Sequence, residues 1–190
     1  MSQKPSSFLN MLLTLSIVTA VAALSLGFVY EKTKEPIAQA KLEKQKRAIK
    51  TVTGDYDNDP LAEAYQPDVA PMLTFYPVKQ AEVESGVAIK TFCNEGYSGR
   101  IELMVGVDRE GKIINISVLD HKETPGLGSK MTSPDFISQF IGQSSESMKY
   151  KVKKDGGDVD AISGATISSR AFTSAVLKSL EAKEGKKHEH

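Results

Sequence analysis

An uncharged, apolar stretch near the N-terminus constrains the fold of this chain more than any other feature. No charged residue occurs between Pro5 and Tyr30, and the part from Phe8 onwards is mostly Leu, Val, Ala, Ile and Phe. As a helix that rises about 1.5 Å per residue, this run would cover about 33 Å, which matches the hydrocarbon core of a bilayer. A cleaved signal peptide is the alternative, but the run exceeds the roughly 7–15 apolar residues usual for such signals. The sequence therefore predicts a short N-terminal tail and an uncleaved anchor, a single transmembrane helix, within residues 1–30.

The charges beside the predicted span do not set its orientation. Lys4 precedes the span, while Lys and Arg outnumber Glu in residues 31–50. Counted literally, this excess would keep the following domain in the cytoplasm. The positive-inside rule applies to short loops, however, and long domains translocate largely regardless of their charge. The residues alone therefore leave both orientations open.

Residues 31–71 are predicted to connect the span to the rest of the chain. Pro36 suits the first turn of a second helix, which is predicted to end at Gly54. The Lys-rich side of this helix is either solvated or attracted to anionic lipid headgroups next to the span. Acidic residues and prolines then predict an irregular segment over residues 55–71. The predicted apolar face of the helix consists of Ile37, Ala40, Ala48, Ile49 and Val52.

The pattern of residues 72–182 predicts an α+β fold, in which an antiparallel sheet packs against flanking helices. Runs of β-branched and aromatic residues, and alternation of apolar with polar residues, indicate strands. A turn that contains Gly111 joins the last two strands into a hairpin, in which Ile114 is one of the inward residues. The predicted strands cover residues 74–78, 87–93, 101–107 and 114–118.

Three further elements are predicted after the hairpin. Ser133 and Pro134 open a short helix that stops at Gly142. A last strand around Val159 leads into a C-terminal helix. Residues 183–190 have no apolar period and are predicted to be a disordered tail. His188 and His190 are interpreted as tail residues and not as metal ligands, because the sequence places no third ligand beside them.

Composition excludes several classes of function. Lys and Arg together number 24, as do Asp and Glu, so the balanced charge argues against a nucleic-acid surface. Cys93 is the only cysteine. A disulfide framework within the chain and a cysteine-built zinc or iron–sulfur site are therefore excluded, and Cys93 is interpreted as a buried side chain on a strand.

A turn of small residues in segment 160–170 runs directly into the pattern of the C-terminal helix. A helix N-terminus presents unpaired backbone N–H groups and the positive end of the helix dipole, and therefore attracts an anion such as phosphate. The alternative is an ordinary Ser or Thr cap. Gly164 and Ala165 keep bulky side chains away from this point, and hydroxyl groups surround it, those of Ser163, Thr166, Ser168 and Ser169.

A second motif lies between the hairpin and the short helix, in residues 120–130. Pro125 fixes one backbone angle, while Gly126 and Gly128 permit conformations closed to other residues. Such a loop can bring backbone donors close to a flat ligand. Considered alone, it could equally be a surface turn.

Together the two motifs resemble a known family. Glu123-Thr124-Pro125-Gly126-Leu127-Gly128 is followed, about forty residues later, by Asp160-x-x-Ser163-Gly164-Ala165-Thr166-x-x-Ser169. This combination resembles the FMN-binding domain of the G subunit of Rnf-type electron-transport complexes. It is also similar to the C subunit of the sodium-pumping NADH:quinone reductase, and the shorter chain favours the Rnf-type family. The predicted anchor, the helix after it and the domain size match as well, so the resemblance covers nearly the whole chain.

The resemblance implies a cofactor, a location and partners. FMN would be bonded through its phosphate to the hydroxyl of Thr166, installed from FAD by a separate flavin transferase. The large domain would lie outside the cytoplasmic membrane, among other membrane and peripheral subunits. No catalytic residue is expected, because the flavin carries the redox chemistry. The implied cofactor-binding residues are Glu123, Thr124, Pro125, Gly126, Leu127, Gly128, Lys130, Ser163, Gly164, Ala165, Thr166 and Ser169.

The orientation of the flavin and two other functions remain open at this point. The loop of residues 124–128 is expected to pack against the isoalloxazine ring, with Lys130 or His121 near its polar edge, although Lys130 could equally be a solvated charge. A membrane-tethered module that binds an anion noncovalently would use the same residues. A sensor or a reductase of a soluble substrate is a third option, but residues 72–182 offer no additional substrate domain.

Overall fold

The structure is a computed structural model that describes residues 8–185. The chain divides into two compact units, Met1–Glu43 and Lys44–His190. The N-terminal tail predicted before Phe8 lies outside the described residues. The same holds for residues 186–190, with His188 and His190.

Helix α1 spans Phe8–Thr53 as one continuous element. Among the described residues, it is the one helix that is both long enough and apolar enough to cross a membrane. The prediction that a separate helix begins at Pro36 is wrong, because Pro36 lies inside α1. Proline removes one backbone donor and disfavours a helix interior, but it does not always end a helix. The predicted end is confirmed, since Gly54 follows Thr53 with a φ of +82° and its N–H donates to the carbonyl of Lys50 at 3.0 Å.

Four antiparallel strands form one sheet in the order in which they occur in the chain, with all neighbours hydrogen-bonded. The hairpin and the α+β class predicted from alternation are confirmed. The prediction for one inward residue is wrong: Ile114 is exposed and Ile113 is buried, because the β3–β4 register shifts near Gly106 and Val107. The strands are β1 (Thr74–Gln80), β2 (Val83–Gly96), β3 (Gly99–Asp108) and β4 (Ile113–Asp120).

Helices cover both faces of the sheet. One face packs against helix α3, Thr166–Lys183, in a core that includes Phe140, Phe172 and Leu180. The other face packs against the last turns of α1, where Ala48, Ile49 and Val52 are buried. The backbone of Gly106 lies so close to α1 that a side chain would not fit, because a Cβ there would lie 2.0 Å from the Val52 carbonyl oxygen. Ile37 and Ala40, predicted on the same apolar face, are exposed.

The segment between β4 and α3 is mostly irregular. Helix α2 covers only Pro134–Ile137, with Ser133 as its cap as predicted. The prediction that this helix continues to Gly142 is wrong, because residues 138–142 form turns. The predicted strand around Val159 does not form, since Val159 makes a single parallel bridge to Val152 and joins no sheet strand. At the other end, Lys183 is the last residue of α3 and not part of a tail. Its ammonium group donates to the carbonyl of Asp108 at 2.6 Å.

Candidate functional site

A tight turn precedes α3, as the small residues of the motif predict. The N–H of Ala165 donates to the carbonyl of Ile162 at 2.9 Å, and Gly164 has a φ of +76°. Side chains other than that of glycine are disfavoured at this angle, so Gly164 suits the third position of the turn. Ser163 and Gly164 are exposed, while Ala165 is buried. The turn thus projects its tip into solvent and anchors its last residue.

Helix α3 begins without a side-chain cap. Its N-cap residue is Ala165, and no side chain accepts a hydrogen bond from the first turn. The alternative of an ordinary Ser or Thr cap is therefore wrong. Among residues 8–185, no partner is found for the backbone N–H groups of Thr166, Ile167 and Ser168. Three adjacent donors at the positive end of an 18-residue helix form a site suited to an anion.

The hydroxyl groups of the motif divide into two pairs. Ser168 and Ser169 are buried, and each is engaged within the protein. Ser168 donates to the Glu123 carboxylate at 2.6 Å. Ser169 accepts from the N–H of Ile162 at 3.0 Å and donates to the Ala165 carbonyl at 3.0 Å. Ser169, expected to bind phosphate, instead holds the turn in shape.

Ser163 and Thr166 form the other pair. Ser163 is exposed and Thr166 is half-buried. Neither hydroxyl has a hydrogen-bond partner within the described part of the chain. Of these two, Thr166 is the first residue of α3 and carries one of the three free N–H groups. Its hydroxyl therefore lies beside the anion site.

The loop after β4 is folded on itself and turns its tip to solvent. The N–H groups of Leu127 and Ser129 both donate to the Thr124 carbonyl, and the Ser129 hydroxyl accepts from the N–H of Gly126 at 2.9 Å. Gly126 has a φ of +77°, which explains the glycine. The exposed members of the loop are Thr124, Pro125, Gly126 and Leu127.

The structure brings this loop and the α3 turn together. A Cβ built on Gly164 would lie 3.3 Å from the Leu127 side chain. A Cβ on Gly128 would lie 2.6 Å from the Ser168 hydroxyl oxygen, closer than real Cβ contacts. The two motifs, separated in sequence, thus lie against each other and form adjacent walls of the candidate site. Leu127 keeps 44% of its surface exposed there.

The two basic residues proposed for the flavin edge differ in their surroundings. Lys130 is exposed on a 3₁₀ turn that spans Gly128–Thr132, close to the loop. His121 is half-buried, and its Nδ1 accepts from the backbone N–H of Glu123 at 3.2 Å. An imidazole that accepts at Nδ1 carries its proton on Nε2. Lys130 is thus available to an anionic or polar group, while one nitrogen of His121 is occupied.

Two supporting residues had no signal in the sequence. The backbone N–H of Ser98, in the β2–β3 turn, donates to the Glu123 carboxylate at 2.9 Å. The amide of Gln139 accepts from the backbone N–H of Asp160 at 2.7 Å and donates to its carbonyl at 3.4 Å. Both contacts join segments far apart in sequence, so spacing could not reveal them.

A cleft of about 500 Å³ lies along α3, where Ile167, Arg170 and Leu177 line it. Arg170 crosses it with two hydrogen bonds to Asp155, at 2.6 and 2.7 Å. This guanidinium holds the pKa of the Asp155 carboxyl below its usual range. Burial raises the pKa of Tyr150 at the other side of the cleft. Within residues 8–185, no group of three or more His, Cys, Asp or Glu side chains is placed to hold a metal ion.

Comparison with known proteins gives consistent matches. Residues 96–181 match the family model described as FMN-binding domain. The chain is 36% identical to the G subunit of the ion-translocating oxidoreductase complex of Stutzerimonas stutzeri, over 89% of this chain and 78% of that protein. It is 34% identical to the G subunit of the same kind of complex from Shewanella amazonensis, over 88% of this chain and 84% of that protein.

A solved structure supports the fold. The chain resembles the crystal structure of the C subunit of the Na⁺-translocating NADH-quinone reductase from Parabacteroides distasonis, with a TM-score of 0.50 and 23% identity. The match covers 62% of this chain and 64% of that chain. At this identity the likeness concerns the α+β fold alone.

Proposed function

This chain belongs to the family of G subunits of ion-translocating oxidoreductase complexes, and from that membership we propose that it is an FMN-carrying electron-transfer subunit of such a membrane complex. The match to the FMN-binding domain family covers both walls of the site. FMN, when bound, supplies reversible transfer of one or two electrons. The chain itself is expected to bind and orient the cofactor, without a substrate or catalytic residue of its own.

The Thr166 hydroxyl carries the more specific proposal, a phosphoester bond to FMN. It is an unpaired, partly accessible hydroxyl next to three N–H groups that have no partner within residues 8–185. A phosphodiester at this position would keep one negative charge, which the helix terminus stabilises. Ser163 can contribute a further hydroxyl. Ser169 supports the same site indirectly, through its bonds to Ile162 and Ala165.

The surroundings of Thr166 favour attachment by a separate flavin transferase. Self-catalysed attachment would need a base to activate the hydroxyl. The nearby carboxylates are engaged, since Asp160 pairs with Lys153 at 2.7 Å and Glu123 accepts from Ser168. No hydrogen bond joins Thr166 to a histidine or a carboxylate among the described residues.

The loop of residues 124–128 forms the opposite wall, where Leu127 offers an exposed apolar surface to a flat ring. Lys130, exposed at the end of the same loop, is the better placed basic residue for a polar edge. His121 is less suited, because its Nδ1 already accepts the Glu123 N–H. We therefore propose Lys130 as a binding residue, and we assign to His121 the role of holding the start of the loop through the Glu123 N–H.

Helix α1 suits a membrane anchor, because its apolar residues from Phe8 to Tyr30 are exposed. We further propose that the large domain lies on the extracytoplasmic side. A covalent bond is useful there, since a noncovalent cofactor would be retained only if free ligand stayed well above its dissociation constant. The basic residues that follow the span would then lie near lipid headgroups.

Replacement of Thr166 by alanine tests the covalent assignment. The full-length chain is produced together with the flavin transferase, and the flavin is detected by fluorescence in a denaturing gel. We expect the native protein and Ser163→Ala to fluoresce and Thr166→Ala to be dark. Ser163→Ala is a matched control, because it removes the other accessible hydroxyl of the same turn. Fluorescent Thr166→Ala protein would contradict the assignment.

The visible absorption spectrum separates this function from noncovalent anion binding. A flavin band that survives denaturation supports the electron-carrier function. A colourless protein that binds phosphate would favour the anion-binding module. Membership of the C-subunit family of sodium-pumping reductases has weaker support, because the relatives with extensive identity are G subunits.

A further inference from the structure

Glu123 is a buried carboxylate that connects three segments of the chain. Only 4% of its surface is exposed. One oxygen accepts from the backbone N–H of Ser98 in the β2–β3 turn at 2.9 Å, and the other accepts from the Ser168 hydroxyl at 2.6 Å. Its own backbone begins the loop of residues 124–128. The carboxylate therefore links the sheet, the loop and the first turn of α3.

The packing around this carboxylate leaves no room for a cofactor to reach it. A Cβ on Gly96 would lie 2.7 Å from one carboxylate oxygen, and a Cβ on Gly128 would lie 2.7 Å from the other. Both glycines thus lie directly against the carboxylate. Direct contact between Glu123 and a bound flavin, implied by the family resemblance, does not fit this packing.

We propose that Glu123 is a positioning residue, which sets the separation of the two walls of the site through its bond to Ser168. The proposal rests on the proposed function for the identity of the cofactor, but the geometry of the link stands without it. Ser168 lies two residues after Thr166 on the same helical turn. The loop wall is joined to Glu123 by the peptide chain. Loss of the Glu123–Ser168 bond would therefore loosen one wall against the other, although Leu127 would still lie against Gly164.

A carboxylate suits this position because both of its partners donate. A buried donor without an acceptor is costly, and bonds to a charged acceptor are stronger than neutral ones. Glutamine could still accept from the Ser98 N–H with its carbonyl and donate to the Ser168 oxygen with its amide. Alanine could do neither. The expected order of disturbance is thus Glu123→Ala, then Ser168→Ala, then Glu123→Gln.

Hydrogen exchange and visible circular dichroism test the proposal on the full-length, flavin-loaded chain in detergent. Ser168→Ala should raise exchange at the amides of residues 126–130 by about tenfold to hundredfold, as expected for the loss of one charge-assisted bond. It should also reduce the dichroism of the bound flavin, because the loop wall is then held less firmly against the ring. Glu123→Gln should restore most of the signal that Glu123→Ala loses.

Ser179→Ala is the matched control. Ser179 is equally buried on α3, but its hydroxyl donates within the helix, to the Val176 carbonyl at 2.7 Å. It should lower the melting temperature without changing loop exchange or flavin dichroism. Unchanged loop exchange in Ser168→Ala, or flavin dichroism equal to that of the control, would overturn the proposal.

The mass of the Thr166 peptide is measured first in every sample. Absence of FMN there would refute the proposed function, not the link, which hydrogen exchange then decides alone.

Discussion

The hydroxyl groups where the tight turn enters α3 fall into two sets, a front set (Ser163 and Thr166) and a back set (Ser168 and Ser169), which differ in their hydrogen bonding. On the front, the hydroxyls of Ser163 and Thr166 have no partner among the described residues. On the back, Ser168 and Ser169 are buried and hydrogen-bonded. The back is therefore held by the fold, and the front offers the hydroxyls that we propose for the bond to FMN. One motif rich in serine and threonine thus contains both internally bonded and unpartnered hydroxyls among the described residues.

The largest effect on stability should come from a methyl group added at Gly128, which packs against the back hydroxyl of Ser168. In Gly128→Ala, the new Cβ would lie 2.6 Å from the Ser168 oxygen and 2.7 Å from a Glu123 oxygen. We expect a loss of about 3 kcal/mol in the free energy of unfolding, measured by urea denaturation, because neither partner can move without breaking their bond.

Gly126→Ala is the control, because Gly126 lies at the exposed tip of the same loop. Nothing lies within 4 Å of its Cβ, but its φ is +77°. The left-handed angle alone should cost about 1 kcal/mol. Equal losses of unfolding free energy in the two variants would show that Gly128 is not tightly packed against Ser168 and Glu123.

A smaller difference is expected between two serines of the motif. Ser169→Ala removes the acceptor of the Ile162 N–H and should cost about 2 kcal/mol, since the donor is left partly buried. Ser163→Ala, on the exposed tip, should change stability by less than about 0.5 kcal/mol. Chemical denaturation of both variants measures the difference. Similar values would contradict the division into front and back.

The smallest effect concerns the Asp155–Arg170 pair, which lines the cleft along α3. Arg170 lowers the pKa of Asp155 from its ordinary value of 3.8. The pair therefore adds stability above that value and loses it as the pH falls through the lowered pKa. Asp155→Asn should be slightly less stable than the native protein near neutral pH.

The stability difference between these two proteins should disappear in strong acid. Denaturation midpoints across the acidic range measure it. A difference that persists below the lowered pKa of Asp155 would show that the carboxylate charge is not its source.

Features governed by local pattern could be predicted from the sequence. Alternation located the β3–β4 hairpin, the Ser133 cap was correct, and Cys93 is buried on β2 as expected. Such features depend on the residues next to them, so a single sequence contains the information. The turn into α3 at Gly164 belongs to the same class.

Features that depend on distant contacts could not be predicted in this way. A register shift between β3 and β4 beside Gly106 buries Ile113 and exposes Ile114, the reverse of the predicted alternation. Val159, apolar enough for a strand, makes one parallel bridge to Val152 and joins none of the four strands of the sheet. The bond of Ser169 to the turn could not be predicted for the same reason, since only the folded turn brings the backbone N–H of Ile162 to the Ser169 hydroxyl.

The mass of one tryptic peptide tests the central claim most directly. Cleavage after Lys154 and Arg170 releases residues 155–170, which contain both front hydroxyls and both back hydroxyls. In chain produced with a flavin transferase, this peptide should gain the mass of FMN less one water, and fragmentation should place the addition on Thr166. An unmodified peptide, or an addition on Ser168 or Ser169, would contradict the assignment of the front to chemistry and the back to support.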